Sequence, residues 1–554
     1  MQGIDPEQFL EELRRRAIQV TMRDGKLKVT APAGVLDAAT RSLLAEHKQS
    51  LLAHLSAAGV PAPIRAVALS RAPQTPAQQG MWLIDHLNPG NISYNIPQAW
   101  EAQATLDPAI LQRAIDRLLD RHAALRSRFF EEENEFFQDV DEHARALLAV
   151  TDLSSMGDDA KEELQRRLTQ EARRPFTLDQ APPIRFHLFR LPQGRDIVFY
   201  NIHHIVADAR SLQILRAELT TLYKQACGLE EPELLPLPFQ FMEFAAWAAE
   251  NWTAQALPAQ AAYWGAQLAG APPALNLRGS REYPERRSAQ GSYVLLSLDR
   301  ECARQLTTIA REEGATLFMV SLAAFAVLLA KLSGSDDVSI GTPFTQRTRP
   351  GTEGLIGLFI NMLVLRLRID GSVNFREMVR RTRQTALNAY ENSELPFQEV
   401  VRLLKPDPRS RRTPLFQVMF QFDAAAGAVP ETLLQLGTNP GTARYDLTLQ
   451  LNEHENGISG HLEYATDVFD RSTAQSIADQ YVAITRAMAC APDAQLSTIA
   501  VTYEPAEVKS SGRPDPTSGQ TSPASDASRS SGIFGRLRRL TARKPAEDAS
   551  PENP

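Results

Sequence analysis

The feature that most constrains the fold is an alternation of short apolar runs and helix-period segments between residues 69 and 505. The run at 197–203 has the composition of a buried strand, and a helical pattern follows at 209–224. An apolar helix expected at 315–332 is also followed by a short strand, at 337–341. Such alternation is typical of layered α/β proteins. Because this region of about 430 residues exceeds one ordinary hydrophobic core, we expect two lobes.

Changes in composition along the chain predict five segments. They are an N-terminal unit at 1–57, a linker at 58–68, two lobes at 69–240 and 241–506, and a tail at 507–554. The tail is dominated by Ser, Pro, Thr, Gly and Asp, so it cannot offset its ordering entropy and is expected to be disordered. The tail includes a short basic amphipathic segment at 533–540. This segment is either part of a solvated tail or a site of weak contact with a partner or a membrane surface.

The first 57 residues have the pattern of a small α+β unit. A helical period at 6–16 precedes two alternating strands, 18–22 and 26–30, which flank the pair Asp24-Gly25. An Asp-Gly pair between alternating strands is a strong signal for a β-hairpin. A helix is then expected, with Asp37 as its N-cap. A unit of this size is near the lower limit for independent folding.

Composition excludes several classes of protein. Hydrophobic residues make up 43% of the chain, charged residues make up 23%, and the net charge is −7. These values fit a globular protein and argue against nucleic-acid binding driven by bulk charge. Cys227, Cys302 and Cys490 are far apart, which favours a reducing cytoplasm over a disulfide framework. The longest apolar stretch, 315–330, is shorter than the ~20 residues that span a bilayer, and no signal peptide is recognisable, so we expect no transmembrane segment.

The candidate catalytic residues lie in the sequence His203-His204-Ile-Val-Ala-Asp208, at the end of the expected strand. Neighbouring side chains of a strand point to opposite faces, so one histidine can face a channel while the other is packed. An imidazole with a pKa near neutrality suits removal of a proton from an attacking hydroxyl or amine. Asp208, at the start of the next helix, can cap its amides or hold an arginine.

Two other interpretations of the histidine pair stay open at this point. Both residues could be packed at a strand end, or they could bind a metal, although no cluster of His, Cys or Glu accompanies them. The sequence contains no GxSxG elbow, no GxxxxGK[ST] phosphate loop and no GxGxxG after a strand. A histidine base without a protein nucleophile indicates direct transfer of an already activated acyl group.

The HHxxxD motif resembles the active-site motif of the condensation domains of non-ribosomal peptide synthetases. Six further stretches resemble motifs of that family and occur in its order. They are Thr75–Trp82 with Tyr94–Pro97, Arg121–Arg126, Phe241–Trp247, Ile356–Asn361, Leu395–Phe397 with Glu399, and Arg412–Phe416. The resemblance covers the chain from about 75 to 420, and similar patterns continue through Tyr445-Asp446 and 462–470.

This resemblance implies an α/β fold of two lobes, each similar to chloramphenicol acetyltransferase, in a V with a tunnel between them. Donor and acceptor thioesters would enter on phosphopantetheine arms of carrier proteins, so no cofactor or metal is expected on this chain. By position, His204 resembles the catalytic histidine of the family. His203 would be a packing residue, and Asp208 would pair with an arginine, with Arg126 as the family's candidate and Arg185 as a second.

One residue departs from the family pattern. The glycine that usually follows the aspartate is replaced by Ala209, which keeps the backbone amide that could hold a carbonyl oxygen but puts loop shape and access in doubt. The intact pair His203 and His204 argues against the cyclisation subfamily, which replaces these histidines. Epimerisation domains normally follow a carrier in the same chain, and none precedes this motif.

Residues 1–57 resemble the N-terminal β-hairpin docking domains of synthetase assembly lines. Such a hairpin captures an acidic-hydrophobic C-terminal peptide of the upstream carrier-bearing protein by strand addition. Arg23, Lys26 and Lys28 are the candidates for contacting that peptide, with 14–16 nearby. The unit has eight Lys and Arg against seven Asp and Glu, so the attraction would be local. An ordinary accessory subdomain is the alternative.

We see no adenylation domain, carrier serine motif or thioesterase in the sequence. A docked condensation enzyme of this kind would pass an acyl chain to a small molecule or a second carrier, and we expect release of a polyketide or peptide chain as an ester or amide. The arrangement is similar to free-standing enzymes that release enacyloxin-type polyketides. Two alternatives are an acyltransferase that uses coenzyme A donors and a scaffold with the fold but lost chemistry.

Overall fold

The structure is a computed structural model. It describes 64–499 apart from 103, 278, 280, 286, 408–409, 411 and 424–439, and in the first 63 residues only 9, 19–23, 26–30, 40, 43, 44, 47, 48, 50 and 51. Two compact units are present, Met1–Arg65 and Ala66–Pro554, and each is considered by itself. The predicted turn at Asp24-Gly25, most of the helix predicted at 6–16, and the predicted tail at 507–554 lie outside the described residues.

The predicted hairpin of the first unit is confirmed. Strand β1, Gln19–Arg23, pairs antiparallel with β2, Lys26–Thr30. The register sets Arg23 opposite Lys26 and Thr21 opposite Lys28. Because residues that face each other across a ladder share one face of the ribbon, the three basic positions lie on the same face. Their contacts lie outside the described part of the chain.

The second unit begins with two small sheets. The helices that accompany them are α1 Pro76–Leu87, α2 Pro108–Arg121, α3 Ala160–Ala172 and α4 Ala209–Ala226. The strands are β3 Arg71–Pro73, β4 Asn95–Glu101, β5 Ser127–Glu132, β6 Glu135–Val140, β7 Leu148–Asp152, β8 Ile184–Leu191 and β9 Arg195–His203. One sheet has the order β3-β6-β5 and the other β4-β9-β8-β7.

The central strand β9 of the four-stranded sheet is covered on both faces, and its residues 197–200 are accordingly apolar or aromatic at successive positions. Val198, Tyr200 and Ile202 pack with helices α2 and α4, whereas Ile197 and Phe199 pack with α3. This is the alternation that the sequence predicts for the strand leading into the two histidines. The packing of both faces fixes the orientation of β9, and with it the position of His203 and His204 at its end.

The second lobe is built on one six-stranded sheet. Its helices are α5 Phe241–Asn251, α6 Pro258–Leu268, α7 Arg300–Glu312, α8 Leu317–Ser333, α9 Phe375–Glu391, α10 Phe397–Leu404 and α11 Arg471–Cys490. Its strands are β10 Gly291–Asp299, β11 Asp337–Thr345, β12 Ile360–Arg368, β13 Val418–Asp423, β14 Leu447–His454 and β15 Gly457–Ala465, in the order β10-β15-β14-β13-β11-β12. Side chains from one face of the sheet join α7, α8, α9 and α11 in a single core.

The apolar helix that the sequence predicts at 315–332 is α8, and it is buried in this core. No single described helix is long and apolar enough to cross a membrane. Only α7 and α8 taken together meet that criterion, and a bend of 106° separates them. The strand predicted at 337–341 is longer than expected, because β11 continues to Thr345 against β12.

Local sequence explains where many of these helices begin. Seven described helices start after an Asp, Asn or Thr side chain that accepts a hydrogen bond from the backbone amide three residues later, which satisfies an amide left free at the helix start. These residues are Thr75, Asp107, Asp208, Asp299, Thr316, Asn374 and Asp470. The Asp208 cap starts α4 and therefore belongs to both the fold and the candidate site.

The two lobes meet through α5 and the segment 346–359, which connects β11 with β12. Helix α5, which the predicted boundary at 240/241 assigns to the second lobe, packs against β3 and the 3-10 turn Ala123–Arg126 of the first. Phe241 and Phe244 of α5 pack against Phe359, with ring centroids 5.0 and 4.5 Å apart. We call this contact region, which includes Asp208 at the start of α4, the lobe junction.

Candidate active site

The two histidines lie where a strand turns into a helix. Strand β9 ends at His203, a 3-10 turn covers His204–Val206, and α4 begins after Asp208. The sequence predicts that the two side chains diverge because they alternate along a strand. They do diverge, but His204 already belongs to the turn.

His204 is held in a defined tautomer. Its backbone amide donates to the carbonyl oxygen of Tyr94 at 2.8 Å. Its Nδ1 lies 2.7 Å from the carbonyl oxygen of Ala207. A carbonyl can only accept, so Nδ1 carries the proton and the lone pair is on Nε2. The side chain is partly exposed, so Nε2 is the nitrogen available to a substrate.

The electrostatic surroundings keep this imidazole neutral. Desolvation is the largest cause, and together with the positive charge of Arg444 it lowers the pKa of His204 to about 4. The hydrogen bond to Ala207 and the charge of Asp208 act in the opposite direction and are smaller. At neutral pH His204 is therefore a proton acceptor at Nε2 and a donor only toward Ala207.

His203 is packed. Its side chain is 1% exposed, its ring lies 6.0 Å from Tyr94 and 5.9 Å from Phe176, and Nδ1 accepts from the amide of Ile205 at 3.2 Å. Burial, the largest cause, lowers the pKa of His203 to about 3. Its Nε2 lies 4.0 Å from a carboxylate oxygen of Asp85, whose pKa burial raises to about 6. The geometry therefore fits the prediction that His203 is a packing residue.

The arginine partner of Asp208 differs from the expectation. Asp208 Oδ1 accepts from Arg347 Nη2 at 3.0 Å, and the two side chains are 3% and 7% exposed. The same carboxylate accepts from the amide of Ser211 at 2.7 Å and, through Oδ2, from the amide of Phe359 at 3.2 Å. Arg347 also donates to the carbonyl oxygens of Thr352 and Leu355, and its guanidinium lies 4.1 Å from the Phe359 ring.

The predicted partners Arg126 and Arg185 are therefore wrong for Asp208. Arg126 donates to the carbonyl oxygens of Leu119 at 2.9 Å and Asp120 at 3.5 Å, near the end of α2. Arg185 donates to two backbone carbonyls, those of 174 and 175, and stacks on Phe176 at 4.0 Å. Both guanidinium groups are used by nearby backbone, which a motif match cannot reveal. Arg347 lies 139 residues from Asp208, and no local signal in the sequence connects them.

Ser211 completes the contact between the lobes. Its hydroxyl accepts from the amide of Gly357 at 3.1 Å and from Arg347 at 2.8 Å. At Gly357 a Cβ atom would lie 2.0 Å from the Phe241 ring, so only glycine lets this backbone approach α5. The segment 346–359 is thus fixed onto the first turn of α4, close to the candidate catalytic loop.

Ala209 is compatible with the site. It is the first residue of α4 and is exposed. Its backbone is helical, so alanine adds no strain where the family usually has glycine. The amide at this position is one of the free amides at a helix start.

A group of three or more His, Cys, Asp or Glu suited to a metal ion does not occur in the described part of the chain. The expectation that this chain binds no metal and no cofactor of its own stays a prediction. The roles assigned to His203 and His204 are likewise predictions that the geometry makes specific.

Sequence comparison assigns both units to known families. Residues 69–508 match the condensation-domain family, and residues 7–56 match the TubC N-terminal docking domain. A linear gramicidin synthase of Brevibacillus parabrevis is 35% identical over 451 residues, which is 80% of this chain and 9% of that protein. A dimodular nonribosomal peptide synthase of Bacillus subtilis (strain 168) is 34% identical over 81% of this chain and 19% of its own length. The chain thus spans a small part of these relatives.

Solved structures agree with this assignment. The X-domain from teicoplanin biosynthesis, solved in complex with OxyB, has a TM-score of 0.71 and 26% identity, covering 80% of this chain and 99% of that chain. A second similar structure is the first condensation domain of the calcium-dependent antibiotic synthetase in complex with a substrate analogue. Its TM-score is 0.66, and the similarity covers 78% of this chain and 100% of that chain. At 22% identity this similarity shows the common fold. The predicted two-lobed α/β fold is confirmed. This chain belongs to the condensation-domain family of acyl-transferring synthetase domains and carries a TubC-type N-terminal docking domain.

Proposed function

We propose that this chain transfers an acyl group from the phosphopantetheine thioester of a carrier protein to the hydroxyl or amine of an acceptor, and so releases a polyketide or peptide chain as an ester or amide. The observation that carries the proposal is the state of His204. Its Nδ1 is fixed on the carbonyl of Ala207, its imidazole is neutral, and its Nε2 is directed away from that contact. A partly exposed, neutral imidazole is the group that such a transfer needs.

In the proposed reaction His204 accepts and returns one proton while bonds form and break at the thioester carbonyl. Nε2 accepts the proton of the acceptor O–H or N–H while the acceptor oxygen or nitrogen attacks the thioester carbonyl. When the C–S bond breaks, the imidazolium returns that proton to the departing sulfur, so the carrier arm leaves as a thiol. The imidazolium shares its second proton with the Ala207 carbonyl throughout, which keeps the ring oriented. The amide of Ala209 is the group that we propose to hold the carbonyl oxygen.

The donor carrier is proposed to arrive through the docking domain. The hairpin sets Arg23, Lys26 and Lys28 on one face, and an acidic peptide added beside β1 or β2 would meet this positive charge. The placement of these basic positions supports an upstream carrier with an acidic C-terminal peptide as the partner. The proposed acceptor is a small molecule or a second carrier. The setting that we propose is the cytoplasm.

The test is intact-mass analysis of an acyl-loaded carrier mixed with this enzyme and a panel of alcohols and amines. We expect unloading that needs both an acceptor and His204, so His204→Ala abolishes it while circular dichroism and melting stay unchanged. His143→Ala, at an exposed histidine of the same lobe, is the matched control and should retain full activity. Consumption of acyl-coenzyme A without carrier unloading would favour the coenzyme A acyltransferase instead.

A second candidate is a binding module without transfer chemistry. The similarity to an X-domain solved in complex with OxyB favours it, because that similarity extends over the whole X-domain chain. The free Nε2 of His204 favours transfer. If this protein leaves every carrier loaded in that experiment, yet binds a carrier-bearing partner through its docking domain, the result would support the binding module.

A further inference from the structure

Helix α1 contacts the turn that carries His204. Gln78 and Asp85 are seven residues apart on α1, so they lie on the same face of the helix, two turns from each other. The fully buried Gln78 side chain donates from Nε2 to the carbonyl oxygen of Ile205 at 3.1 Å. Ile205 is the middle residue of the 3-10 turn His204–Val206. One end of this helix face therefore holds the turn directly.

His203 connects the other end of that helix face to the same residue of the turn. The backbone amide of Ile205 donates to His203 Nδ1 at 3.2 Å. A backbone amide can only donate, so Nδ1 is the unprotonated nitrogen. Because burial lowers the pKa of His203 and keeps the ring neutral, Nε2 carries its one proton. The hydrogen bond from Ile205 exists only while the ring stays in this tautomer.

A buried donor and a buried acceptor lie opposite each other between His203 and Asp85. Neither His203 Nε2 nor Asp85 Oδ1 has a hydrogen-bond partner among the described residues. The two atoms lie 4.0 Å apart, and the side chains are 1% and 14% exposed. Leaving both groups unpaired in a buried place is costly. A shift of about 1 Å, or one bridging water, is enough to pair them.

The surroundings of Asp85 suit it to accept this hydrogen bond. Asn91 is oriented by its own Oδ1, which accepts from the amide of Ser93 at 3.0 Å. Burial, the largest cause, raises the pKa of Asp85 to about 6, and the Asn91 side chain opposes this shift by stabilising the charged carboxylate. At pH 8 the group is therefore ionised, and an ionised carboxylate only accepts hydrogen bonds.

We propose that Asp85 is a positioning residue for acyl transfer, because its carboxylate accepts the Nε2–H of His203 and so holds that ring in the tautomer that anchors the turn of His204. The proposal rests on the proposed function of His204. A carboxylate favours a proton on the ring nitrogen beside it. Without the carboxylate the proton can move to Nδ1, and the amide of Ile205 then meets an N–H instead of an acceptor. The turn loosens, and His204 Nε2 loses its defined direction.

The experiment compares full-length wild type with Asp85→Leu, the isosteric Asp85→Asn and the control Asp179→Asn, an exposed aspartate of the same lobe. Each protein carries ¹⁵N-labelled histidine, and the ring nitrogen shifts at pH 8 report the tautomer of His203, whose signals are those missing from His203→Phe. Wild type and Asp179→Asn should show only the Nε2–H form. The Nδ1–H form should appear in Asp85→Leu, and to a smaller extent in Asp85→Asn, whose amide oxygen can still accept.

Transfer from a loaded carrier should follow the tautomer. We expect kcat to fall by roughly tenfold to a hundredfold in Asp85→Leu and by less in Asp85→Asn, while the KM for the donor carrier stays unchanged, because only the imidazole is misplaced. Asp179→Asn should match wild type in both constants.

An unchanged His203 tautomer in both Asp85 variants would overturn the proposal, as would a tautomer change that leaves kcat at its wild-type value. Because the ring spectrum does not depend on transfer, a tautomer change in a protein that transfers nothing would refute the proposed function and leave the action of Asp85 on His203 standing.

Discussion

Asp208 and Arg347 lie 139 residues apart in the chain and form a buried ion pair at the lobe junction, with 3.0 Å between Oδ1 and Nη2. The carboxylate also starts α4, two residues after the 3-10 turn that holds His204. One side chain therefore caps a helix, joins two lobes and adjoins the candidate catalytic loop. Stability and activity should be coupled at this residue.

Asp208→Ala is expected to lower the free energy of unfolding by about 3–5 kcal/mol, because it leaves the Arg347 guanidinium buried without its partner. Transfer should be lost as well, since the start of α4 would shift. Urea denaturation followed by circular dichroism measures the first effect. Arg347→Gln should resemble Asp208→Ala, and Arg126→Gln should cost far less. Equal losses in the two arginine variants would contradict the assignment of Arg347.

Gly357→Ala is expected to destabilise the protein by about 1–3 kcal/mol, because the added Cβ would overlap the Phe241 ring. Thermal melting measures this loss. Phe241→Leu in the same chain should restore part of it by making room. Gly265→Ala is the matched control, because nothing lies within 4 Å of a Cβ built at this position on α6. That control should be neutral or slightly stabilising, and a loss as large as that of Gly357→Ala would refute the steric explanation.

Charge reversal of Arg23, Lys26 and Lys28 to Glu should raise the KM for a docked donor carrier by roughly tenfold and leave kcat unchanged. The three residues share one face of the hairpin, so their reversal would repel an acidic peptide. Steady-state kinetics with full-length enzyme at two salt concentrations measures this effect, which added salt should reduce in wild type. Lys48→Glu, an exposed change in the same unit, is the control. A change in kcat with the same KM would argue against docking.

The folding stability of the chain should fall as the pH drops from about 6.5 to 4. Burial, the largest cause for each, lowers the pKa of His203 to about 3 and of His204 to about 4, against about 6.5 in an unfolded chain. The unfolded state therefore binds more protons in this window, and the free energy of unfolding rises with pH. Asp85, whose pKa burial raises to about 6, acts in the opposite direction and offsets part of the effect.

Melting curves at intervals between pH 4 and 8 measure this dependence. His203→Phe, which fills a similar volume without a titratable group, should flatten the acidic slope. An acidic slope that is the same in His203→Phe as in wild type would contradict the neutral state of His203.

Much of the fold follows from local pattern. The hairpin, the helix after Asp208 and the buried helix α8 each depend on the period and composition of one segment, which the sequence displays directly. Strand ends were less well defined. β11 extends four residues beyond the predicted strand because its pairing with β12 continues to Thr345, and pairing is not a local property.

The candidate site is predictable only in part, for the same reason. His203, His204 and Asp208 lie within six residues, so a motif contains them. Arg347 and Arg444 come from the second lobe and reach the site only because the two lobes pack together. The motif suggests Arg126 as the ion-pair partner of Asp208. In the structure the Arg126 guanidinium instead donates to backbone carbonyl oxygens near the end of α2. The resemblance includes Tyr445-Asp446, but it does not indicate that the neighbouring Arg444 lies against the Tyr94 ring.

The contacts of 346–359 with the start of α4 limit how substrates can reach His204. Separating the lobes at this point would break the Asp208–Arg347 pair and the Ser211–Gly357 hydrogen bond together. Both contacts lie within the first turn of α4, so the junction holds the lobes together directly beside the loop that carries His204. If the proposed transfer takes place, we therefore expect acyl donor and acceptor to reach the imidazole without opening this junction, which suits a slender acyl chain on a flexible arm better than a broad substrate.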